Sequence, residues 1–394
     1  MKKVNVKVVI GSNYGDECKG LATSCFSDSS KKCLNVLFNG GCQRGHTVDL
    51  KDGTRHIFHH FGSGTFHNAY TYFDKDFMLN PAIFVQEYDE LLSLGVKPKC
   101  FVSPHCRIST PYDAFINQIV ENSRGESRHG SCGFGIWETQ KRYENSIYAL
   151  NYEELISKTD AEIISYLSDI ANKYLYERLK YYSIYDIPKE YEELIKSDGL
   201  KLHFLNDIRV MQSLIKICEF ERLFSDFDTV VFEGAQGLAL DESNKDNYPY
   251  ITASKTTSYV PIERVKNLNC DIEVCYITRS YFTRHGAGMF PTECKKSTIN
   301  GNIEDKTNVP NDYQQSIRYG LFDIEEFNKR INSDKEKSLN IRKDIKFSLF
   351  ISHLNYTNNE IAGNCTIKDL SKYFYNIYLS SNKYGITDTI RGNK

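Results

Sequence analysis

The chain opens with an alternation: Val4, Val6 and Val8 are apolar, Asn5 and Lys7 are polar, and Val9 and Ile10 complete the run before Gly11. Period-two alternation of β-branched residues predicts a strand over Val4–Ile10. Short apolar runs recur at Asn35–Phe38, Thr229–Phe232, Ile272–Ile277 and Phe347–Ser352. Their near-continuous apolar character suits strands buried on both faces of a parallel or mixed sheet. Between Glu153 and about Phe227 the period lengthens. Ile163, Leu167, Ile170 and Tyr174 fall at i, i+4, i+7 and i+11, one face of a helix, and read as core packing. No internal repeat or Gly/Ser/Pro-rich linker interrupts the pattern. It therefore predicts an α/β fold over residues 1–394 as one domain, with a large, mostly parallel central sheet and a helical insertion at about 153–227.

Composition narrows the function classes. The 394 residues are 40% hydrophobic and 25% charged, which excludes disorder, collagen-like repeats or coiled coil as a description of the whole. Lys+Arg 49 against Asp+Glu 51 leaves a net charge of −2, so there is no global electrostatic footprint for direct nucleic-acid binding. No apolar run approaches the ~20 residues needed to span a bilayer. Lys2 and Lys3 precede valines as in a signal peptide, but Asn5 and Lys7 break the apolar run. The twelve cysteines lack any C-x-x-C pair, which argues against zinc or a disulfide framework and for reduced thiols in the cytoplasm.

Candidate chemistry sits where the predicted strands end. The first runs into Gly11-Ser12-Asn13-Tyr14-Gly15-Asp16-Glu17-Cys18-Lys19-Gly20. A glycine-rich turn between strand and helix exposes backbone N–H groups and a helix dipole to a phosphate. Lys19 is a candidate point charge for it, and Asp16 a candidate base or Mg²⁺ ligand. The common phosphate loop has Gly directly before Lys and Ser/Thr after it, so a structural turn is the competing reading. A second loop, Asn39-Gly40-Gly41-Cys42-Gln43-Arg44-Gly45-His46-Thr47, sets a histidine among glycines, where structural and catalytic roles are both open. A third, Phe232-Glu233-Gly234-Ala235-Gln236-Gly237, continues to Tyr248-Pro249-Tyr250-Ile251-Thr252; a fourth, Thr283-Arg284-His285-Gly286-Ala287-Gly288, ends in Phe290-Pro291-Thr292-Glu293. Four such loops on one sheet meet the requirement of a nucleotide crevice at the carboxyl ends of strands.

Together these segments resemble the adenylosuccinate synthetase family, with its G-x-x-x-G-D-E-G-K-G, G-G-x-N-A-G-H-T, E-G-A-Q-G…Y-P-x-V-T and S-T-R-V-G-A-G-P-F-P-T-E stretches in the same order. Phe58-His59-His60-Phe61-Gly62-Ser63-Gly64 is similar to the family's L-H-L-x-P-S-G, and the C-terminal quarter matches weakly. The resemblance implies a ligase that phosphorylates the 6-oxygen of a purine nucleoside monophosphate such as inosinate and then couples it to the amine of L-aspartate. Carried over by motif position, Asp16 would be the base and a Mg²⁺ ligand, Gly45 would offer the metal a carbonyl, His46 would be the acid, and Lys19 would contact the transferring phosphate. Gln236 and Thr252 would contact the purine nucleotide. Asn13, Gly15, Glu17, Gly20, Gln43, Ser131, Cys132, Arg284, Arg318, Ser352 and Asn355 complete the implied nucleotide- and substrate-binding set. A homodimer follows from the resemblance alone.

The departures bear on the substrate. Cys18 stands where the family has Gly; tolerated drift is favoured over an altered loop path or a redox-sensitive thiol. The aspartate-binding T-T-G-R-x-R-R-x-G-W-x-D aligns with Asp312-Tyr313-Gln314-Gln315-Ser316-Ile317-Arg318-Tyr319-Gly320-Leu321-Phe322-Asp323, which keeps only Arg318, Gly320 and Asp323. The guanine-reading T-K-L-D aligns with Ser352-His353-Leu354-Asn355; Asn355 offers an acceptor and a donor where Asp offers two acceptors, so ATP joins GTP as candidate donor. Gly130-Ser131-Cys132-Gly133 is similar to G-T-T-G, but the arginine that follows it has no counterpart beyond the offset Lys141 and Arg142, and His285 replaces a valine near the ribose. Three alternatives stay open: a viral-type variant acting on deoxyguanylate toward 2-aminoadenine nucleotides, a ligase using another amino acid, and a non-catalytic nucleotide-binding homologue.

Overall fold

The computed structural model describes residues 2–144, 147–308 and 316–392. Ten strands form one sheet: β1 (Val4–Gly11), β2 (Cys33–Leu37), β3 (Tyr70–Phe73), β4 (Cys100–Val102), β5 (Ile215–Ile217), β6 (Thr229–Gly237), β7 (Cys270–Arg279), β8 (Ile345–Ser352), β9 (Asn376–Leu379) and β10 (Asp388–Arg391). Their spatial order is β10-β9-β8-β7-β1-β6-β2-β3-β4-β5. Every neighbouring pair is parallel except β9 and β10. All five strands expected from the apolar runs are present, and β1, read as buried, lies at the middle of the sheet. Val6, Val8, Val9 and Ile10 are all fully buried, each side chain contributing roughly 1.5–3 kcal/mol relative to exposure.

The sheet is covered on both faces, as its apolar strands require. One core joins Val6, Val8, Phe232, Val274 and Leu349 to Phe327 and Ile331 of the Ile324–Ile341 helix. A second joins Phe73 and Phe84 to the helical stretch, where Ile163, Leu167, Ile170 and Tyr174 are all buried in one stripe, and a third packs Val9, Val231, Cys275 and Phe350 with Leu21 and Ala22. That stretch departs from expectation in one respect: it is not wholly helical. Ile215–Ile217 leaves it to become the edge strand β5, paired with β4, so the chain returns to the sheet before the Phe220–Phe224 helix. Among the described residues, no helix is long and apolar enough to cross a membrane.

Register sets the level of the site. Gly11 of β1 lies opposite Gly237 of β6 and Ile277 of β7, and Arg279 of β7 lies opposite Ser352 of β8. Neighbouring parallel strands thus end together, and their loops spill over one edge of the sheet. A three-stranded antiparallel sheet (Phe282–Arg284, Glu293–Cys294, Arg318–Gly320) and a hairpin (His46–Asp49 with Arg55–Phe58) stand above that edge.

Candidate active site

The loops enclose a crevice of 1460 Å³. All four glycine segments reach it: Gly15, Asp16, Glu17, Lys19 and Gly20 from the first, Gln43, Gly45 and His46 from the second, Gln236 and Thr252 from the third, Arg284 and His285 from the fourth. Ser131, Cys132, Ser352 and Asn355 line it as well, whereas Asn13 and Arg318 do not.

The first loop turns sharply. Gly15, Asp16 and Cys18 have φ of 91°, 55° and 71°. A positive φ costs a side-chain-bearing residue roughly 1–2 kcal/mol, so Asp16 and Cys18 hold these values because the surroundings fix them. Glu17 is the brace: its Oε1 accepts from the Asn13 backbone N–H at 2.8 Å and from Asn13 Nδ2 at 2.7 Å. Arg330 Nη2 donates to Asn13 Oδ1 at 2.7 Å, which closes the brace from the Ile324–Ile341 helix. Asn13 therefore shapes the loop from behind the crevice. Burial pushes the Glu17 carboxyl up to about 7, against Lys19 and Asn13. Lys19 begins the helix α1 (Lys19–Phe26) and is buried, and that burial lowers its pKa against the pull of Glu17 and Asp16. Cys18 Sγ rests 3.6 Å from His353 Nδ1, and burial raises its thiol, so the loop cysteine lies away from the thiolate form.

Asp16 is held at both ends. Its backbone carbonyl accepts from Arg279 Nε at 2.5 Å, and its Oδ2 lies 3.1 Å from His285 Nδ1. Burial works to raise its pKa, but the His285 hydrogen bond and the charges of His285, Arg279 and Lys19 outweigh it and hold the carboxylate ionised. Arg279 also donates from Nη2 to Asp305 Oδ2 at 3.0 Å, tying the loop to residues 303–308.

His46 opens the hairpin, and its Nδ1 donates to Glu233 Oε1 at 2.6 Å. Glu233, on β6 and fully buried, also takes a hydrogen bond from Ser63 Oγ, one from the Ser63 N–H at 3.0 Å, and an ion pair from Arg44 at 2.8 Å. Burial would raise Glu233, but Arg44, His46 and Ser63 overcome it and hold it at about 2. His46 falls to about 4, through burial and the Arg44 charge, so its imidazole is neutral near pH 7. Gly20 explains why α1 meets the hairpin so closely. A Cβ there would sit 2.9 Å from His46 Cβ and 3.0 Å from the His46 carbonyl carbon.

Two amides await partners. Among the described residues, Gln43 Oε1 and Nε2 and Gln236 Oε1 are buried without a hydrogen bond. Buried polar groups are satisfied in native proteins, so orphans lining a crevice mark where a polar ligand bonds. Ser131 is joined to Asn117 Nδ2 at 2.9 Å, and Thr252 is anchored by its backbone N–H to the Leu240 carbonyl at 2.8 Å. Arg284 is buried and donates to the Ala287 and Met289 carbonyls at 3.2 and 2.6 Å, so it clamps its own loop. Arg318, the expected remnant of an aspartate clamp, is occupied by Glu293 and by the Gly286 and Gly288 carbonyls at 3.2 and 2.9 Å. Arg142 is fully buried against Asp113 at 2.8 Å and supplies no arginine to the Gly130–Gly133 loop. Asp312, Tyr313, Gln314 and Gln315 lie outside the described residues.

The donor set suits Mg²⁺. Asp16 has one carboxylate oxygen engaged by His285, and Gly45 lines the same crevice. Mg²⁺ typically binds through one or two carboxylates plus substrate phosphates rather than an all-protein cage. Sequence reasoning gave no role to Glu233 or Arg279, and it read His285 only as a replacement near the ribose. A lone charge inside an apolar strand run was the available signal for Glu233 and Arg279. The Asp16–His285 contact joins residues 269 positions apart (285 − 16) and left no local trace.

A family model described as adenylosuccinate synthetase matches residues 8–345. Adenylosuccinate synthetases of Lawsonia intracellularis and Chromohalobacter salexigens are each 29% identical over 303 residues, which cover 74% and 73% of this chain. The matches span 66% and 64% of those relatives, a little under two thirds of their length. In fold, the chain is similar to the fully ligated adenylosuccinate synthetase of Plasmodium falciparum (TM-score 0.66, 18% identity, 98% of this chain and 88% of that one). It is also similar to the cyanophage S-2L succinoaminodeoxyadenylate synthetase bound to dGMP and dATP (TM-score 0.63, 13% identity, 100% and 97%). With its four glycine loops gathered around one crevice and the family's pattern running through most of its length, the chain belongs to the adenylosuccinate synthetase family.

Proposed function

We propose that the chain is a C–N ligase that activates the 6-oxo group of a purine nucleoside 5′-monophosphate with a nucleoside triphosphate and couples it to the amine of L-aspartate. The observation that carries the reading is the meeting of Asp16, Lys19, His46 and the two orphaned glutamine amides in one crevice. Asp16 takes the N1 proton of inosinate, and the 6-oxygen gains the electron density to attack the γ-phosphate. Lys19 and a backbone cradle at the start of α1 neutralise charge on the phosphates. Gln43 and Gln236 bond the purine nucleotide. The amine of aspartate then attacks C6, the C6–O bond breaks, and phosphate leaves with the former 6-oxygen. His46 starts neutral, because burial and the Arg44 and Lys19 charges lower it. An arriving phosphate offsets those cations and raises His46 toward the protonated form that assists transfer. Asp16 and Gly45 would hold Mg²⁺, which balances phosphate charge when bound.

Asn355 is exposed at the crevice and presents an acceptor and a donor, which supports ATP beside GTP as phosphoryl donor. The likeness to the cyanophage enzyme, which is bound to dGMP and dATP, supports a second reading with deoxyguanylate as the activated purine. The twelve free thiols support a reducing, cytoplasmic setting. A homodimer is part of the same proposal, on the family likeness alone. Oxygen-18 at the 6-position of inosinate tests the activation step: the label is expected in the released phosphate. Phosphate formed without label would overturn the reading.

A further inference from the structure

Outside the set carried over from the family, Glu233 bonds the proposed acid His46, and His285 meets the carboxylate of the proposed base. His285 Nδ1 lies 3.1 Å from Asp16 Oδ2, and the contact is largely shielded, with the two side chains 15% and 26% exposed. A carboxylate has no proton to give, so the imidazole nitrogen is the donor. The loop that delivers His285 is fixed from both sides. Arg284 bonds the Ala287 and Met289 carbonyls, and Arg318, itself locked on Glu293, bonds those of Gly286 and Gly288. Gly286 lies against Gly130, where even a Cβ on Gly130 would come within 2.8 Å of the Gly286 Cα. A donor held so firmly is not a surface histidine that has drifted into range.

We propose that His285 is a positioning residue for Asp16: its Nδ1–H meets Oδ2 and fixes the carboxylate plane, so that the carboxylate meets the purine N1 proton in one orientation. The inference rests on the reading of Asp16 as the base. Arg279 complements it by holding the Asp16 backbone carbonyl at 2.5 Å. With backbone and carboxylate both pinned, Asp16 keeps one geometry despite its φ of 55°. Pre-set geometry of this kind counts heavily, because a misplacement of about 1 Å costs on the order of 100-fold in rate.

Two measurements test it. In steady-state phosphate release with inosinate, His285→Val is expected to lower kcat by about 10- to 100-fold while KM for inosinate stays within about threefold. His285→Asn, which keeps an N–H donor near the Nδ1 position, is expected to recover most of the loss. Long-range ¹H–¹⁵N spectra of the imidazole rings read the contact without turnover, the His285 signals being assigned by their loss in His285→Val. Nδ1 is expected to carry a proton in the wild type and to lose that preference in Asp16→Ala. A wild-type kcat in His285→Val, an Asn variant as slow as Val, or an Nδ1 indifferent to Asp16→Ala would each overturn the proposal. A wild type inert toward every purine monophosphate, with the ring signals as expected, would overturn the ligase reading and leave the contact standing.

Discussion

At the scale of single residues, the site runs on buried charges that compensate one another. Glu233 carries the largest share, since Arg44, His46 and both donors of Ser63 converge on it. Glu233→Gln keeps the shape and an acceptor but strands the Arg44 guanidinium, and removing one partner of a buried pair costs about 3–5 kcal/mol. Urea denaturation should show a loss of that order. The same cluster sets an acid limit. Unfolded, His46 and Glu233 would take up protons near 6.5 and 4.5; folded, they resist to about 4 and about 2. The unfolded state thus binds more protons throughout pH 6.5 to 2, and stability falls as pH drops through that window. In Glu233→Gln the fall below pH 4.5 should be shallower; an unchanged acid profile would mean that other groups dominate. Residue types at Asp16, Lys19 and His46 were legible because glycine loops after strands announce ligands. Arg318 was read as substrate-binding from its motif position, and its engagement by Glu293 depends on a strand pairing that sequence order hides.

At the scale of elements, strands long enough to show a pattern were legible and short ones were not. β1, β6, β7 and β8 run eight to ten residues and announced themselves. β4 and β5 have three residues each, too few for a period, and β5 hides within a helical stretch. The packing of α1 on the His46 hairpin was equally silent, although Gly20 records it. Ala normally gains about 1 kcal/mol over Gly inside a helix. Here a Cβ at Gly20 would press on the His46 and Thr47 backbone, the Thr47 carbonyl oxygen lying 3.1 Å away. Gly20→Ala is therefore expected to destabilise by roughly 1–3 kcal/mol, the usual range for overpacking, and to slow turnover by shifting His46. A stabilised variant with normal turnover would show that the helix yields without moving the hairpin.

At the scale of the whole molecule, the fold serves the chemistry by ending its central parallel strands at one level. β1, β2, β6, β7 and β8 each hand the crevice a loop, and β1 at the centre supplies the one with Asp16 and Lys19. The central claim is that this crevice makes a C–N bond on a purine, with Asp16 as the base. The most direct measurement is mass spectrometry of one reaction containing inosinate, deoxyguanylate, GTP, ATP, Mg²⁺ and all twenty amino acids, run with wild type and with Asp16→Ala. The account predicts a succinyl adduct on inosinate from the wild type, reduced by at least about 100-fold in Asp16→Ala. Wild type and Asp16→Ala equally inert, with nucleotide still bound, would contradict it.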